Sequence, residues 1–184
     1  LHNRETPPDQ IVIETSGLAM PKPLVKAFNW PDIRTRVTVD AVVTVVDGPA
    51  VADGLFASDP EAVQSQREAD DALEHESPLE ELFEEQLGCA DMVVINKADL
   101  LNKAALAQVT GEVAGQIRSS VKVVSAAHGA VDPAVLLGIG AAAEDDLDAR
   151  PSHHDGVDDH VTRVVNDRIC SHLNVNEFND NEFN

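Results

Sequence analysis

The sequence predicts an α/β fold with a parallel sheet, and three observations support this prediction. Four short runs of apolar residues recur along the chain, and each run ends at a polar residue. The longer segments between these runs have helical character. Near-continuous apolar runs are typical of strands buried on both faces, and strands that alternate with helices form parallel sheets. A length of 184 residues suits one such domain with a short appendage.

The predicted strands are residues 11–13, 41–46, 92–95 and 121–124. The polar residues that follow them are Glu14, Asp47, Asn96 and Ser125. Ligands of open α/β sheets bind beyond the carboxyl ends of the strands. The residues after each strand are therefore the first candidates for a functional site, although Asp47, in an Asp-Gly-Pro sequence, is typical of a turn.

The predicted helices are residues 22–28, 60–75, 78–88, 103–119 and 134–137. The third of these has the clearest pattern, because its apolar residues form one stripe: Leu79, Leu82, Phe83 and Leu87. Ser77 is a suitable N-cap before Pro78, and Gly88 is the expected end of this helix.

Composition excludes several classes of protein. Asp and Glu total 33 against 13 Lys and Arg, which gives a formal charge of −20. Such a surface repels phosphate backbones and anionic lipid, so we expect neither nucleic acid nor membrane as a partner. The chain has no apolar run near the ~18 residues needed to span a bilayer, and its two cysteines are far apart. We expect a cytoplasmic protein with an aliphatic core, since aromatic residues are only 3%.

The composition changes near residue 141. Residues 141–160 carry seven carboxylates, three histidines and one arginine, a pattern typical of a solvated segment. We therefore expect a domain at residues 1–140, an acidic His/Asp-rich linker at 141–160, and a disordered tail at 161–184.

The loop after the third predicted strand contains Asn96-Lys97-Ala98-Asp99, an N-K-x-D pattern. The carboxylate of Asp99 could accept hydrogen bonds from the N1–H and N2–H₂ edge of guanine, a donor pair that adenine does not offer. Lys97 could lay its aliphatic chain along the base, and Asn96 could brace the loop by hydrogen bonding. The alternative is an ordinary polar turn, but the apolar strand before it favours a guanine site.

Two further loops are candidates for the same nucleotide. Ser125 and Ala126 follow the fourth predicted strand, where a backbone N–H could donate to O6 of the base. After the first strand, the carboxylate of Glu14 could hold the water shell of Mg²⁺ or position the attacking water, and Gly17 would let a γ-phosphate approach closely. The alternatives are a small-residue turn and an acidic helix cap.

The histidines of the linker are candidate metal ligands. His153, His154 and His160 lie among aspartates, and together they offer imidazole and carboxylate ligands to a divalent transition metal. The alternative is a solvated acidic linker whose histidines have no such role.

The sequence resembles the CobW family of metal-linked P-loop GTPases, which is related to the hydrogenase and urease nickel-insertion GTPases. The resemblance covers about residues 8–160 and rests on IVIETSGLAMPKPLVKAF, VTVDAVVTVVD, PLEELFEEQLGCADMVVINKADLL and AAAEDDLDARPSHHDG. It is specific, because E-T-S-G-L-A and N-K-A-D-L-L stand at a suitable separation.

The resemblance implies a GTPase metallochaperone that handles cobalt for corrin synthesis, with GTP, Mg²⁺ and Co²⁺ as ligands and a cobalt-inserting chelatase as a partner. It places Glu14 and Gly17 at the Mg²⁺ and γ-phosphate switch, Asn96, Lys97 and Asp99 on guanine, and Ser125 and Ala126 in the last guanine loop. The segment around His153 resembles the family's metal-binding linker. The alternatives are a nickel- or zinc-delivery GTPase and a non-enzymatic acidic metal-binding module.

The sequence departs from the family in one respect that affects activity. It contains no G-x-x-x-x-G-K-[ST] loop to cradle phosphates, and no C-x-C-C metal motif. We therefore expect a P-loop GTPase domain that lacks its first strand and its phosphate loop, truncated at both ends, with no appreciable GTP hydrolysis.

Overall fold

A computed structural model of the chain describes residues 8–69, 79–146 and 150. At its centre is a sheet of three parallel strands in the order β1-β2-β3, namely β1 Val43–Asp47, β2 Met92–Asn96 and β3 Lys122–Ser125. The predicted α/β fold with a parallel sheet is confirmed. Three of the four predicted strands form, and their bounds differ from the prediction by at most two residues.

The register of the sheet brings the ends of its strands together. Asp47 at the end of β1 lies opposite Asn96 at the end of β2, and Ile95 lies opposite Ser125 at the end of β3. Because all three strands run in the same direction, the loops that follow them lie along one edge of the sheet.

The α-helices of the described residues are α1 Pro21–Ala27, α2 Pro31–Arg34, α3 Gly48–Ala52, α4 Pro60–Glu68, α5 Leu79–Cys89, α6 Lys103–Gln116 and α7 Pro133–Leu136, with one 3₁₀ turn at Ala98–Leu100. The sequence pattern predicted five of these helices. It missed the short helices α2 and α3, which have four and five residues. Among the described residues, no helix combines the length and the apolar composition needed to span a membrane.

Two local predictions were wrong. Residues 11–13 form no strand in the described structure, where only Val12 makes an isolated bridge. A strand requires a hydrogen-bonded neighbour, and none of β1, β2 and β3 pairs with this run. Gly88 does not end α5, which continues to Cys89. Both residues are buried, so packing holds the last turn of this helix in place.

The core is aliphatic, as composition predicted. Every residue of β2 from Met92 to Ile95 is buried, because the strand lies between its two neighbours and is covered on both faces. The buried residues packed around it come from β1, α3, α5, α6 and the turn before β2, and they are Val46, Val51, Leu87, Ala90, Val109 and Val113.

A cluster of ion pairs lies at the opposite end of β2 from the loops described above. We call Asp91, Arg118, Asp146 and Arg150 the arginine–aspartate cluster. Arg150 donates to both carboxylate oxygens of Asp91, at 3.0 and 3.1 Å, and to the carboxylate of Asp146 at 2.8 Å. Its side chain is fully buried.

The arginine–aspartate cluster packs residues of the predicted linker against the domain. Ala143 is fully buried, and its N–H donates to the carbonyl of Val39. Ala143 and Arg150 of this acidic segment are therefore packed against the domain, whereas Ala142 and Asp145 are exposed. The predicted boundary between domain and linker itself stays a prediction.

Candidate functional site

The loops after β1, β2 and β3 form one site at the carboxyl edge of the sheet. Residues 96–99, which carry the N-K-x-D pattern, leave the central strand and lie between the other two loops. Ala98 donates its N–H to the carbonyl of Ala126 at 2.9 Å, and Ala126 donates its own N–H to the carbonyl of Ile95 at 2.9 Å. The loops after β2 and β3 are thus joined by main-chain hydrogen bonds.

Asn96 fixes the geometry of these two loops with its side chain. Its Oδ1 accepts the N–H of Gly129 at 2.9 Å. Gly129 has a φ of +72°, a left-handed conformation that glycine adopts at little cost. This hydrogen bond links the end of β2 to the turn after β3, and the predicted role of Asn96 in a guanine site stays a prediction.

Lys97 makes a contact that the sequence did not predict. Its Nζ lies 2.7 Å from Oδ2 of Asp47 and 3.5 Å from Oγ of Ser58. The backbone of Lys97 is left-handed, with φ 56° and ψ 30°, a conformation that is uncommon for a residue with a side chain. The side chain therefore runs from the end of β2 to the end of β1.

Asp47 is held by several donors at once. Its carboxylate accepts hydrogen bonds from Lys97 Nζ, from Ser58 Oγ, and from the N–H of Ala50 at 3.2 Å, which caps α3. Partial burial would raise the pKa of Asp47, but these hydrogen bonds and the charge of Lys97 outweigh burial and lower the pKa. Asp47 is therefore anionic at neutral pH and forms a charged pair with Lys97.

Asp99 lies in the 3₁₀ turn at the outer rim of the site. Its side chain is 31% exposed, so its carboxylate is accessible to a ligand. The Nε2 atom of His128 lies 3.6 Å from Oδ2 of Asp99, and the imidazole is 86% exposed. The imidazole therefore stands beside one carboxylate oxygen of Asp99, with most of its ring in solvent.

The loop after β3 is more constrained than its small residues suggested. Ser125 is exposed, whereas Ala126 is 3% exposed and its N–H is already bonded to Ile95. Ala127 forms an isolated bridge with Ala130. The predicted contact to O6 of guanine would therefore require the Ala126 N–H to leave the Ile95 carbonyl, or a different amide of this loop to donate. The predicted role of Ser125 and Ala126 in binding stays a prediction.

The loop of Glu14 and Gly17 is bonded to helix α5. Both residues are exposed, and Gln86 of α5 donates from Nε2 to the carbonyls of Gly17, at 2.9 Å, and Ala19, at 3.1 Å. Among the residues that the structure describes, no hydrogen bond or ion pair joins Glu14 or Gly17 to the loop of residues 96–99. A Cβ at Gly17 would meet no atom within 4 Å, so the fold itself does not require glycine there.

The predicted metal ligands His153, His154 and His160 lie outside the described residues. Within residues 8–69, 79–146 and 150, no group of three or more His, Cys, Asp or Glu side chains could hold a metal ion. Cys89 is no candidate ligand, because burial raises the pKa of its thiol to about 11 and Glu85 adds to this effect.

Sequence reasoning missed Asp47 and its partner Ser58. The Asp-Gly-Pro sequence favours a turn, so the sequence predicts no role for Asp47 in the site. A signal was available, since Asp47 ends the strand next to the one that carries the N-K-x-D loop. Strand order is a tertiary property, however, and the sequence alone does not fix it.

Comparison with known proteins gives one family model and three relatives, two of them closely similar to this chain. The family model "CobW/HypB/UreG, nucleotide-binding domain" matches residues 1–125. A protein of Pseudomonas aeruginosa named zinc chaperone CobW is 60% identical over 147 residues, which cover 80% of this chain and 39% of that protein. A Sinorhizobium protein of the same name is 53% identical over 155 residues, which cover 84% of this chain and 44% of that protein.

A more distant relative is the zinc-regulated GTPase metalloprotein activator 1 of Schizosaccharomyces pombe, which is 30% identical over 126 residues. These residues cover 67% of this chain and 25% of that protein. The chain thus spans less than half the length of each of these relatives. No solved structure matches the chain significantly.

Proposed function

The chain belongs to the CobW/HypB/UreG family, whose nucleotide-binding domain matches residues 1–125, and from this premise we propose that its N-K-x-D loop binds the guanine base of GTP. The observation that carries the proposal is the accessible carboxylate of Asp99 on a loop that Asn96 fixes to the turn after β3. A fixed loop holds the carboxylate in place for the base at little entropic cost.

Asp99 suits guanine for a chemical reason. A carboxylate only accepts hydrogen bonds, so it pairs with the N1–H and N2–H₂ donors of guanine. The edge of adenine lacks this donor pair, so adenine would leave the carboxylate without its partners. Sites of this kind discriminate strongly between ligands, because an unpaired polar group costs more than a lost contact.

Substitution of Asp99 tests this proposal. The wild-type chain should bind GDP at least about tenfold more tightly than ADP, in titration calorimetry or by displacement of a fluorescent GDP. Asp99→Asn replaces one acceptor oxygen with an NH₂ donor, which matches the N1–H and C2 carbonyl of xanthine. The variant should therefore lose GDP binding and prefer xanthosine diphosphate.

Asp132→Asn is a matched control for this experiment. Asp132 is also exposed, and it caps α7 through a hydrogen bond from the N–H of Ala134. Asparagine caps a helix as well as aspartate does, so this variant should bind GDP like the wild type. Equal affinity of the wild type for GDP and ADP would contradict the guanine assignment.

We propose that Glu14 contributes to Mg²⁺ binding and that Gly17 lies near the γ-phosphate. Mg²⁺ bound to a nucleotide keeps several waters and takes only one or two carboxylates from the protein, so the exposed Glu14 fits it by donor type. When bound, Mg²⁺ would neutralise charge on the phosphates. Glu14→Gln should reduce the Mg²⁺-dependent part of GTP affinity, and Glu61→Gln, an exposed change in α4, should not. Equal Mg²⁺ dependence in both variants would refute the role of Glu14.

We propose that the domain to which this chain belongs serves GTP hydrolysis, because the family model describes a nucleotide-binding domain and one relative is named a GTPase. The 184 residues contain no G-x-x-x-x-G-K-[ST] sequence to bind the phosphates. The chain alone should therefore release no phosphate from GTP and Mg²⁺ above a buffer control. Steady release that Asp99→Ala abolishes would contradict this expectation.

The metal handled is proposed to be zinc. Two relatives are named zinc chaperones and a third a zinc-regulated activator, so their names favour zinc over the cobalt that the sequence resemblance implied. Cobalt, corrin synthesis and a chelatase partner stay predictions. His153, His154 and His160 are the proposed ligands, and imidazole with carboxylate suits Zn²⁺ as well as Co²⁺ and Ni²⁺.

Equilibrium dialysis with Zn²⁺, Co²⁺ and Ni²⁺ tests the metal site. A His153→Ala and His154→Ala double variant should lose most Zn²⁺ binding, whereas His75→Ala with His172→Ala removes two histidines outside the cluster and should not. Zn²⁺ binding that survives the first double variant would rule out this site. Metal binding without any guanine nucleotide binding would favour the alternative of a non-enzymatic metal-binding module.

A further inference from the structure

We propose that Asp47 is a positioning residue of the guanine site, which acts by holding the side chain of Lys97 between the ends of β1 and β2. The inference rests on the proposed function for the identity of the ligand. The contact itself is a property of the fold, with 2.7 Å between Lys97 Nζ and Asp47 Oδ2.

The geometry gives Lys97 a fixed course. Lys97 follows the last residue of β2, and its ammonium binds the last residue of the neighbouring strand β1. Adjacent strands are about 4.8 Å apart, so the four methylene groups of Lys97 lie across the gap between the two strand ends. A row of methylene groups held in this way presents an apolar surface on which the face of a planar base can lie.

A second observation shows that the end of β1 and the N-K-x-D loop form one packed unit. A Cβ at Gly48 would lie 2.9 Å from the carbonyl oxygen of Asn96 and 3.1 Å from side-chain atoms of Ile95 and Leu101. No side chain fits there without a shift of the backbone of the loop. The sequence Asp47-Gly48 therefore serves two contacts, since Asp47 binds the lysine and Gly48 admits the loop.

The contribution to binding follows from side-chain entropy. A free lysine side chain loses rotamer freedom when a ligand orders it, and that loss weakens binding. Asp47 and Ser58 order Lys97 before any ligand arrives, so its side chain has already lost this rotamer entropy in the free protein. Because the Lys97 side chain is 47% exposed, we expect loss of the Asp47 contact to weaken GDP binding about two- to fivefold.

Asp47→Asn isolates this effect. Asparagine keeps the acceptor that caps α3 at the N–H of Ala50, but it presents an NH₂ donor to the ammonium of Lys97. Asp132→Asn changes a helix-capping aspartate in the same way at the start of α7 and serves as the matched control, since Lys97 Nζ bonds to Asp47 and Ser58 rather than to Asp132. Only Asp47→Asn should weaken GDP binding.

A double-mutant cycle shows whether Asp47 acts through Lys97. Lys97→Ala should also weaken GDP binding, and the addition of Asp47→Asn to Lys97→Ala should cause no further loss. A merely structural role would give the same loss in both backgrounds. That result, or unchanged GDP binding by Asp47→Asn, would overturn the proposal.

A measurement without nucleotide separates this inference from the proposed function. The pKa of the Asp47 carboxyl, followed by carbon NMR in the full 184-residue chain, should rise when Lys97 is replaced by alanine. If the wild type binds no GDP, the proposed function fails, and the titration alone decides whether Asp47 holds Lys97. If the pKa of Asp47 is the same in the wild type and in Lys97→Ala, the positioning role is overturned.

Discussion

The arginine–aspartate cluster gives the strongest prediction about stability. Arg150→Met removes a guanidinium that is completely buried and that donates to Asp91, to Asp146 and to the carbonyl of Cys89. Methionine fills much of the volume but forms none of these hydrogen bonds. The carboxylate of Asp91 is only 6% exposed, so water replaces the lost donors poorly.

The magnitude follows from what Asp91 retains. Removal of one partner from a buried ion pair costs about 3–5 kcal/mol when the other charge is left alone. In this variant Asp91 still accepts from Arg118 at 2.9 Å and from the N–H of Val42 at 2.8 Å. We therefore expect a loss of about 2–3 kcal/mol in the free energy of unfolding, below the full penalty.

Denaturant and thermal unfolding measure this loss. For a chain of this size, about 2–3 kcal/mol corresponds to a decrease of roughly 4–12 °C in Tm. Arg34→Met is the matched control, since Arg34 pairs with Asp145 at 3.9 Å and both side chains are more than 60% exposed. That change should stay within about 0.5 kcal/mol. A loss below about 1 kcal/mol for Arg150→Met, or equal losses for both variants, would refute the reasoning.

Three further predictions follow from single residues. Gly48→Ala should destabilise the chain by about 1–3 kcal/mol in urea unfolding, because the new Cβ would meet a backbone carbonyl at 2.9 Å. Gly111→Ala, on α6 with open space around it, should stabilise the chain slightly. Equal effects of the two variants would contradict the close approach at Gly48. Cys89 is buried and its thiol has a pKa of about 11, so it should not react with a thiol reagent at pH 8 until the chain is unfolded. The labelling is measured in a variant whose other cysteine is replaced by serine. Rapid labelling of the folded chain would refute the burial of Cys89. His128→Ala removes the imidazole that lies 3.6 Å from Asp99 and would compete with guanine for its carboxylate, so GDP binding should tighten up to about threefold. A large loss of GDP affinity would instead indicate that the imidazole binds the nucleotide.

The elements that the sequence predicted are those whose local pattern is strong. Residues 92–95 form a continuous apolar run and become the fully buried central strand, since that pattern suits a strand covered on both faces. Residues 79–89 carry an apolar stripe at helical spacing and form α5. Residues 11–13 have a similar apolar run but no strand beside them among the described residues, so the same local preference leaves a single bridge at Val12.

The candidate site also contains some residues that local pattern predicts and some contacts that it does not. The sequence by itself predicted Asn96, Lys97 and Asp99 as the residues of a guanine-binding loop, which is the function proposed above. It also predicted that Asn96 braces the loop by hydrogen bonding, and Asn96 accepts a hydrogen bond from Gly129. It did not predict that Lys97 binds Asp47, 50 residues earlier in the chain, or that Ala126 already donates its N–H to Ile95. Those contacts depend on which strands are neighbours.

The sequence alone therefore determined the class of the fold, the apolar core strands and the chemistry of the loops at their ends. These features follow from hydrophobic period and residue type, which act over a few residues. Only the tertiary structure decided that β1 lies beside β2 and that Arg150 is buried between two aspartates. Pairing between distant residues depends on the arrangement of the whole chain, because burial and electrostatic attraction act between groups that the sequence holds far apart.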